Sequence, residues 1–225
     1  MLIHTNAWAR AGLIGNPSDG YFGKTIAFTV RNYRAHVVIY ESPRIQIVGG
    51  FRDRMDFGSC AEFLDDVHRN GYYGGVRLIK AAIKRFSDWC RVNGLPFDRN
   101  FTIEYDTNIP VRVGMAGSSA IITATMRALM RFFGVAIPVP LLPGVILSVE
   151  MEELGIGAGL QDRVIQVYEG VVFMDFDKGK MERQGHGDYV PMDARQLPPL
   201  YVAFHDNLAE GTEIKNHAAG LHGDG

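Results

Sequence analysis

The sequence predicts a single α+β domain in which helices pack on a mixed or antiparallel sheet. Three observations predict this fold class. Runs of strand-forming residues separated by turns occupy the first 50 residues, apolar residues recur at helical spacing from Gly74, and predicted strands alternate with helices further on. No repeat or linker divides the 225 residues, and the 47% apolar content is enough for a substantial core.

The N-terminal half contains four predicted strands and one predicted helix. The strands are predicted over residues 2–15, 24–33, 35–41 and 44–49. Residues 52–70 are rich in charge and are predicted to be irregular. A helix is predicted from Gly74 because apolar side chains recur every three or four positions, and Asn93-Gly94 ends it. These side chains are Val76, Ile79, Ile83, Phe86 and Trp89.

The C-terminal half begins with a predicted strand, a glycine-rich turn and a helix. The strand covers residues 101–106, and the helix from Ser118 is stopped by Gly134. A second helix is predicted over Leu141 to Leu154 and a third from about Leu160. The remaining predicted elements are a strand pair over 170–176 and 180–186, around a turn at Asp177 to Gly179, and a last strand over 197–205.

Composition excludes several classes of protein. The net charge of −2 gives no electrostatic reason to expect nucleic acid or an anionic membrane as a partner. Cys60 and Cys90 are the only cysteines, so neither a disulfide framework nor a structural zinc site is predicted, and a reducing cytoplasm is expected. The most apolar later stretch, residues 135–147, holds three prolines and is too short to cross a bilayer, so we predict no membrane segment.

Residues 110–120 (PVRVGMAGSSA) are predicted to bind phosphate. Gly114 and Gly117 allow backbone conformations that other residues avoid, so successive N–H groups can point to one side and form an anion-binding nest. The following helix adds unpaired N–H groups and its dipole, and Ser118 and Ser119 add hydroxyls. The motif is not a P-loop, because its GK[ST] ending is missing. The alternative interpretation is a tight turn with a serine helix cap.

Two acidic residues follow that suit phosphoryl transfer. Glu150 lies late on the second predicted helix, and Asp162 comes twelve positions later. Transfer from Mg-ATP needs oxygen ligands for a hard cation and a group that orients or deprotonates the attacking hydroxyl. A serine hydroxyl with Glu150 suits the first need and Asp162 the second. The alternatives are a solvated helix residue for Glu150 and a helix N-terminal acid, favoured by the dipole, for Asp162.

Three segments together resemble the GHMP kinase superfamily, named for galactokinase, homoserine kinase, mevalonate kinase and phosphomevalonate kinase. Residues 110–120 match its second motif, with Met115 where leucine is usual, and residues 9–23 (ARAGLIGNPSDGYFG) resemble the first motif of the sugar-kinase branch. The third match is GLQD at 159–162. The resemblance implies a fold like domain 2 of ribosomal protein S5, with a left-handed βαβ unit, and ATP and Mg²⁺ as cofactors.

The resemblance also implies roles for individual residues. Asp162 would be the catalytic base, with Arg10 offsetting charge near the transferring group. Ser119 and Glu150 would bind Mg²⁺, and Asp19 would bind sugar hydroxyls. The implied nucleotide-binding residues are Pro110, Gly114, Met115, Ala116, Gly117, Ser118, Ser119 and Ala120.

Further substrate contacts are expected from tyrosine and basic side chains near these motifs. Tyr21 is expected to face the sugar, as are Tyr72 and Tyr73, although core packing is the alternative for each. A substrate carboxylate suits an arginine fork, which makes Arg163 a candidate ligand. Lys24 and Arg31 are the other basic candidates, with a surface charge as the alternative reading of all three.

Four runs, over 16–30, 70–86, 105–121 and 147–176, are most similar to the glucuronokinase branch of the superfamily. The resemblance therefore implies an ATP-dependent kinase of the anomeric hydroxyl of a sugar acid, foremost glucuronate. A heptose, fucose or galactose kinase, or a non-catalytic sugar or nucleotide sensor, is the alternative. The third motif of the family is absent, so we expect an ATP-binding N-terminal domain over 1–205 and, over 206–225, the start of a linker or helix into a missing C-terminal domain.

Overall fold

The structure is a computed structural model that describes residues 1–49, 55–70, 76–110 and 113–204. The predicted final segment at 206–225, Tyr72 and Tyr73, and positions 111 and 112 of the glycine-rich turn lie outside these residues. Within them, a mixed sheet carries helices packed on it. The predicted α+β fold class is therefore confirmed.

The described residues form a sheet of seven strands arranged around one long strand. The strands are β1 (Leu2–Ile14), β2 (Lys24–Glu41), β3 (Ile45–Val48), β4 (Met55–Phe57), β5 (Phe101–Thr107), β6 (Val171–Asp175) and β7 (Asp188–Met192). Their order is β4-β3-β5-β2-β6-β7, and β1 pairs with β2. β5 and β6 pair with opposite ends of β2, while β1 runs antiparallel along most of its length. β3 and β5 are parallel, as a βαβ unit requires.

The described residues also form α-helices, which lie between the strands along the chain. They are α1 (Cys60–Asn70), α2 (Arg77–Val92), α3 (Gly117–Phe133), α4 (Leu142–Ser148), α5 (Gln161–Tyr168) and α6 (Lys178–Gln184). A π-helical turn, Val149–Glu153, continues α4, and short 3₁₀ turns cover Ser18–Tyr21 and Ala194–Gln196. Among these helices, none combines the length and the apolar character that crossing a membrane requires.

Two buried clusters hold the helices on the sheet. α3 packs across β1 and β2, and α2 packs against α3. The main cluster includes Ala7, Val37, Ile39, Ile83, Phe86, Ala124 and Leu129. A smaller cluster joins Val164 and Ile165 of α5 to Ala27, Val172 and Met174 of the sheet. Because each fully buried aliphatic or aromatic side chain contributes about 1.5–3 kcal/mol, this small cluster is enough to seat the short helix α5.

Two predictions for the N-terminal half are wrong. Residues 24–41 form one strand rather than two, since a register shift against β1 lets the strand continue through Arg34. Residues 60–70 form α1 rather than an irregular segment. Ser59 Oγ accepts a hydrogen bond from the backbone N–H of Glu62, whose carboxylate in turn accepts one from Gly58 N–H. This arrangement at the start of the helix resembles a capping box, except that the Glu62 carboxylate binds the N–H of Gly58 instead of that of Ser59.

Two predictions for the C-terminal half are also wrong. Residues 178–184 form α6, because the Asp177 side chain caps its first turn and Gly185 ends it in a left-handed conformation. The strand that pairs with β6 is β7. Residues 197–204 form no strand in the described part of the chain. Pro198 and Pro199 lack the backbone N–H groups that pairing with a neighbouring strand needs, which explains why the predicted last strand is absent from these residues.

Candidate active site

The glycine-rich turn leads into α3 and contains two residues with left-handed backbone conformations. Gly114 has a φ of +76° and Ala116 a φ of +60°. The sequence had pointed to Gly117 for the second of these conformations. Gly117 is instead the first residue of α3, and Ala116 takes the left-handed conformation. No described side chain caps α3 at Ala116. The first N–H groups of the helix are therefore available to an anion.

The carbonyl oxygen of Ala116 joins this turn to α3 and α5. It accepts hydrogen bonds from Ser119 Oγ at 3.1 Å and from Gln166 Nε2 at 2.9 Å. Ser119 is buried beneath the turn, whereas Ser118 is exposed at the end of the helix. The contacts hold the turn in one conformation, and of the two serine side chains only that of Ser118 faces solvent.

Arg10 of β1 connects the same turn to the first turn of α5. Its Nε and Nη2 atoms donate to the two carboxylate oxygens of Asp162, at 2.5 and 2.8 Å, and its Nη1 donates to the Gly114 carbonyl at 3.0 Å. The Arg10 and Asp162 side chains are 14% and 19% exposed. A two-pronged arginine contact fixes the plane of a carboxylate. Asp162 is thus oriented beside the glycine-rich turn and still partly exposed.

Glu150 and Arg163 form a buried ion pair next to Asp162. Their side chains are only 3% and 4% exposed, and Arg163 Nη2 donates to Glu150 Oε2. Arg163 Nη1 donates to the Gly159 carbonyl at 2.7 Å and lies 3.6 Å from Asp162 Oδ2. Burial, together with the positive charge of Arg10, lowers the pKa of Arg163 to about 10. Glu150 lies on the π-helical turn, a kind of irregularity that is frequent at functional sites.

Asp19 and Gln161 meet at the N-terminus of α5. Asp19 Oδ2 accepts a hydrogen bond from the backbone N–H of Gln161 at 3.0 Å. A Cβ atom at Gly159 would clash with the Asp19 carboxylate, so this approach requires glycine there. The Gln161 side chain is buried; its Nε2 lies 3.4 Å from Asn16 Oδ1, and its Oε1 finds no hydrogen-bond partner among the described residues. An unpaired buried acceptor beside Asp162 marks a position where a ligand can donate.

Comparison with known proteins agrees with this arrangement of turn, helix and carboxylates. Residues 77–170, which include the turn, Glu150 and Asp162, match the family model of the GHMP kinases N terminal domain. This part of the chain is similar to a GHMP kinase N-terminal domain. The predicted family resemblance is therefore confirmed.

Proteins similar to this chain come from a plant and from bacteria. The chain is 44% identical to "Glucuronokinase 1" of Arabidopsis thaliana over 216 residues, which cover 94% of the chain and 59% of that protein. The structure resembles a D-glycero-D-manno-heptose 1-phosphate kinase from Bacteroides thetaiotaomicron, with a TM-score of 0.68 and 20% identity over 86% of this chain and 60% of that one. For Lactococcus lactis galactokinase the TM-score is 0.69, with 16% identity over 85% and 47% of the two chains. These two structures show the fold alone.

Most of the predicted site residues lie together in this domain. Arg10, Asp162 and the turn meet directly, and Glu150 and Asp19 reach the same end of α5 through Arg163 and Gln161.

The other predicted residues lie at the margin of this group or away from it. Tyr21, on the 3₁₀ turn of Asp19, is exposed. Met115 and Ala120 are buried, so only their backbone can face a nucleotide. Pro110 is half-buried at the start of the turn. The remaining basic candidates contact other groups, Lys24 near Asp175 at 3.9 Å and Arg31 near Glu169 at 3.4 Å.

Gln166, Gln161 and Arg127 hold the domain's site but were not predicted from the sequence. Arg127 of α3 donates to the carbonyl groups of Gln166 and Val167 at 2.8 and 3.1 Å, and so caps the C-terminal end of α5. The Gln166 contact to Ala116 spans 50 positions. No local pattern in the sequence marks Gln166 or Arg127, although the position of Gln161 next to Asp162 was a usable signal.

The described residues offer few ligands for a divalent cation. They contain no group of three or more histidine, cysteine, aspartate or glutamate side chains that could hold a metal ion. Ser119, whose hydroxyl donates to the Ala116 carbonyl of the turn, and Glu150, which pairs with Arg163, are two oxygen-bearing side chains of this region. Mg²⁺ that accompanies a nucleotide keeps several water and phosphate ligands and takes few from the protein. The residues present therefore fit a cation held mainly by ATP.

Proposed function

We propose that the protein containing this chain is an ATP-dependent sugar kinase that phosphorylates the anomeric hydroxyl of a sugar acid, foremost glucuronate, to give glucuronate 1-phosphate. The chain spans 59% of the length of Glucuronokinase 1, so the proposal concerns the whole protein. The observation that carries it is the Arg10–Asp162 contact beside the uncapped N-terminus of α3. This contact puts an oriented carboxylate next to an anion-binding turn.

The turn and the start of α3 hold the phosphates in this proposal. The backbone N–H groups of residues 114–119 and the exposed hydroxyl of Ser118 lie at the start of the helix, whereas the N–H of Ala120 already donates to the Ala116 carbonyl. Ser119 and Glu150 are the proposed Mg²⁺ ligands. When bound, the cation neutralises charge on the phosphate oxygens. The hydrogen bonds to the Ala116 carbonyl keep the donors aligned before the nucleotide arrives.

Asp162 acts on the sugar in this proposal. One carboxylate oxygen accepts the proton of the anomeric hydroxyl as the hydroxyl oxygen attacks the γ-phosphorus and the bond to the ADP oxygen breaks. Arg10 keeps the carboxylate plane fixed through its two-pronged contact and brings positive charge to the transferring group. Because Arg10 also contacts the Gly114 carbonyl, the base and the phosphate turn move as one unit.

The sugar lies at the N-terminus of α5 in this proposal. Asp19 and the unpaired Gln161 Oε1 accept hydrogen bonds from its hydroxyl groups, and the exposed ring of Tyr21 covers it. Arg163 remains the candidate ligand for the substrate carboxylate, although its guanidinium already contacts Glu150 and Gly159. The similarity to Glucuronokinase 1 favours glucuronate over heptose, fucose or galactose.

The test is an ADP-release assay of the full-length gene product with glucuronate, galacturonate, galactose, fucose and heptose phosphates. Activity is expected with glucuronate. Asp162→Asn should lower kcat by about 10²-fold or more, because general-base catalysis contributes about that much, and should leave ATP affinity within twofold. Asp193→Asn, which alters an exposed aspartate that pairs with Arg195, is the matched control. Undiminished turnover in D162N would overturn the catalytic role, and ATP binding without turnover of any sugar would favour a sensor.

A further inference from the structure

One cation contacts both carboxylates to which catalytic tasks have been proposed. The buried guanidinium of Arg163 donates to Glu150, the proposed metal ligand, and lies 3.6 Å from Asp162, the proposed base. Its contact with the Gly159 carbonyl ties it to the chain that enters α5. Arg163 therefore sets the positions of both the Glu150 and the Asp162 carboxylates, although only Asp162 is its neighbour in the sequence.

The burial of Glu150 makes this cation necessary. A carboxylate that is 3% exposed is strongly destabilised when it has no partner, because neither water nor protein charge solvates it. Arg163 supplies that partner from the protein itself. A divalent cation brought to the same carboxylate would meet the guanidinium at close range, and two positive charges repel strongly where water is scarce.

Two of the three guanidinium nitrogens of Arg163 have hydrogen-bond partners, and the third has none in the described residues. Arg163 Nη1 and Nη2 have partners, whereas the buried Nε has no hydrogen-bond partner in the described parts of the chain. Arg10 donates to the same Asp162 carboxylate that lies 3.6 Å from Arg163 Nη1, so a second guanidinium is already close to this place. The arrangement thus tolerates one strong positive charge next to Glu150 and resists a second.

We propose that Arg163 is a positioning residue and built-in counter-ion that holds Glu150 in place without metal and competes with Mg²⁺ for it. The proposal rests on the proposed function, because it takes Glu150 to be the metal ligand. Competition keeps the binding of the cation weak, so Mg²⁺ occupies the site only together with a nucleotide that supplies negative charge. The consequence is that Arg163 determines the Mg²⁺ requirement of the enzyme.

The experiment is a Mg²⁺ titration of nucleotide binding in the full-length gene product, with AMP-PNP as the probe and EDTA-treated protein as the starting point. Arg163→Met removes the charge, and we expect its half-saturating Mg²⁺ concentration to fall by about tenfold or more. Arg163→Lys keeps the charge but loses the fork, so a fall of only a few-fold is expected. In the Glu150→Gln background, Arg163→Met should change the Mg²⁺ requirement by less than twofold.

A stability measurement without Mg²⁺ tests the Glu150–Arg163 ion pair separately from metal binding. In EDTA, Arg163→Met and Glu150→Gln should each lower Tm, and the double variant should lose less than the sum of the two, since neither charge is left alone. If Arg163→Met does not fold, the few-fold shift in Arg163→Lys decides the question. An unchanged or higher Mg²⁺ requirement in the Arg163 variants overturns the proposal. Absence of sugar turnover overturns the proposed function instead, because AMP-PNP binding is measured without sugar.

Discussion

Two clusters of charged residues in this domain contain equal numbers of acidic and basic side chains but differ in their burial. The site cluster consists of Arg10, Asp162, Arg163 and Glu150. The hairpin cluster consists of Asp175, Lys180 and Asp188, on β6, α6 and β7, together with Lys24 at the start of β2. Each pairs two carboxylates with two basic side chains. The four side chains of the site cluster are 3–19% exposed, whereas those of the hairpin cluster reach 65% for Lys24.

The difference in burial explains the choice of basic residue and the behaviour of the charges. Both bases of the site cluster are arginines, whose rigid fork satisfies carboxylates where water cannot, and both bases of the hairpin cluster are lysines. In the site cluster, burial lowers the pKa of Arg163. In the hairpin cluster, the hydrogen bond from Lys180 lowers the pKa of Asp175 and of Asp188. Desolvation thus dominates one cluster and direct pairing the other.

The largest effect is expected from breaking the site cluster at Arg10. Arg10→Met should lower kcat/KM by about 10²–10³-fold, since it removes both the charge at the transferring group and the fork on Asp162. Arg10→Lys should recover only part of this loss, because a lysine cannot contact both oxygens of the carboxylate at once. Sugar-dependent ADP release measures both variants. Full activity in Arg10→Lys would show that charge alone matters and that the geometry of the fork does not.

A smaller effect is expected from disturbing the backbone beside the site cluster. Gly159→Ala places a methyl group against the Asp19 carboxylate. We expect a KM for the sugar that rises by about tenfold, from loss of one aligned polar contact of about 1–1.5 kcal/mol, with a smaller change in kcat. Gly157→Ala is the matched control, because a Cβ there meets no described atom within 4 Å. Equal KM values for the two variants would contradict the assignment of Asp19 to the sugar.

The smallest effect is expected in the hairpin cluster, where Lys180→Met should lower Tm by less than about 3 °C at neutral pH. The pKa of Asp175 is lowered in the folded protein, so its contribution to stability is present above the ordinary value of 3.8. It is lost as the pH falls through the lowered value. Thermal melts of wild type and variant from pH 7 to pH 3 should therefore converge at the acidic end. A difference in Tm that grows towards pH 3 would contradict this account.

Some elements were predictable because their signals are local. The helical spacing of apolar residues located α2, and Gly134 ended α3 as predicted. The errors at α1 and α6 also had local signals. Ser59 and Glu62 have the spacing of a capping box, and Asp177 and Gly185 flank α6 as its caps.

The candidate site was predictable only in part. The glycine-rich turn suggested phosphate binding by itself, because glycine and an uncapped helix start act on the nearest residues. The partnership of Arg10 with Asp162 spans 152 positions and was expected only through the family resemblance. The pairing of Glu150 with Arg163 was not expected at all.

The sequence by itself determined the helix spacing, the turn and the kinds of residue available for phosphate, base and metal. Tertiary structure decided which carboxylate meets which cation: β1 brings Arg10 to the first turn of α5, and the π-helical turn brings Glu150 to Arg163. It also decided that Ala116, rather than Gly117, takes the left-handed conformation. The physical reason is the separation along the chain between the residues that interact. Backbone conformation and capping depend on the nearest few residues, whereas burial and ion pairing depend on which elements pack together.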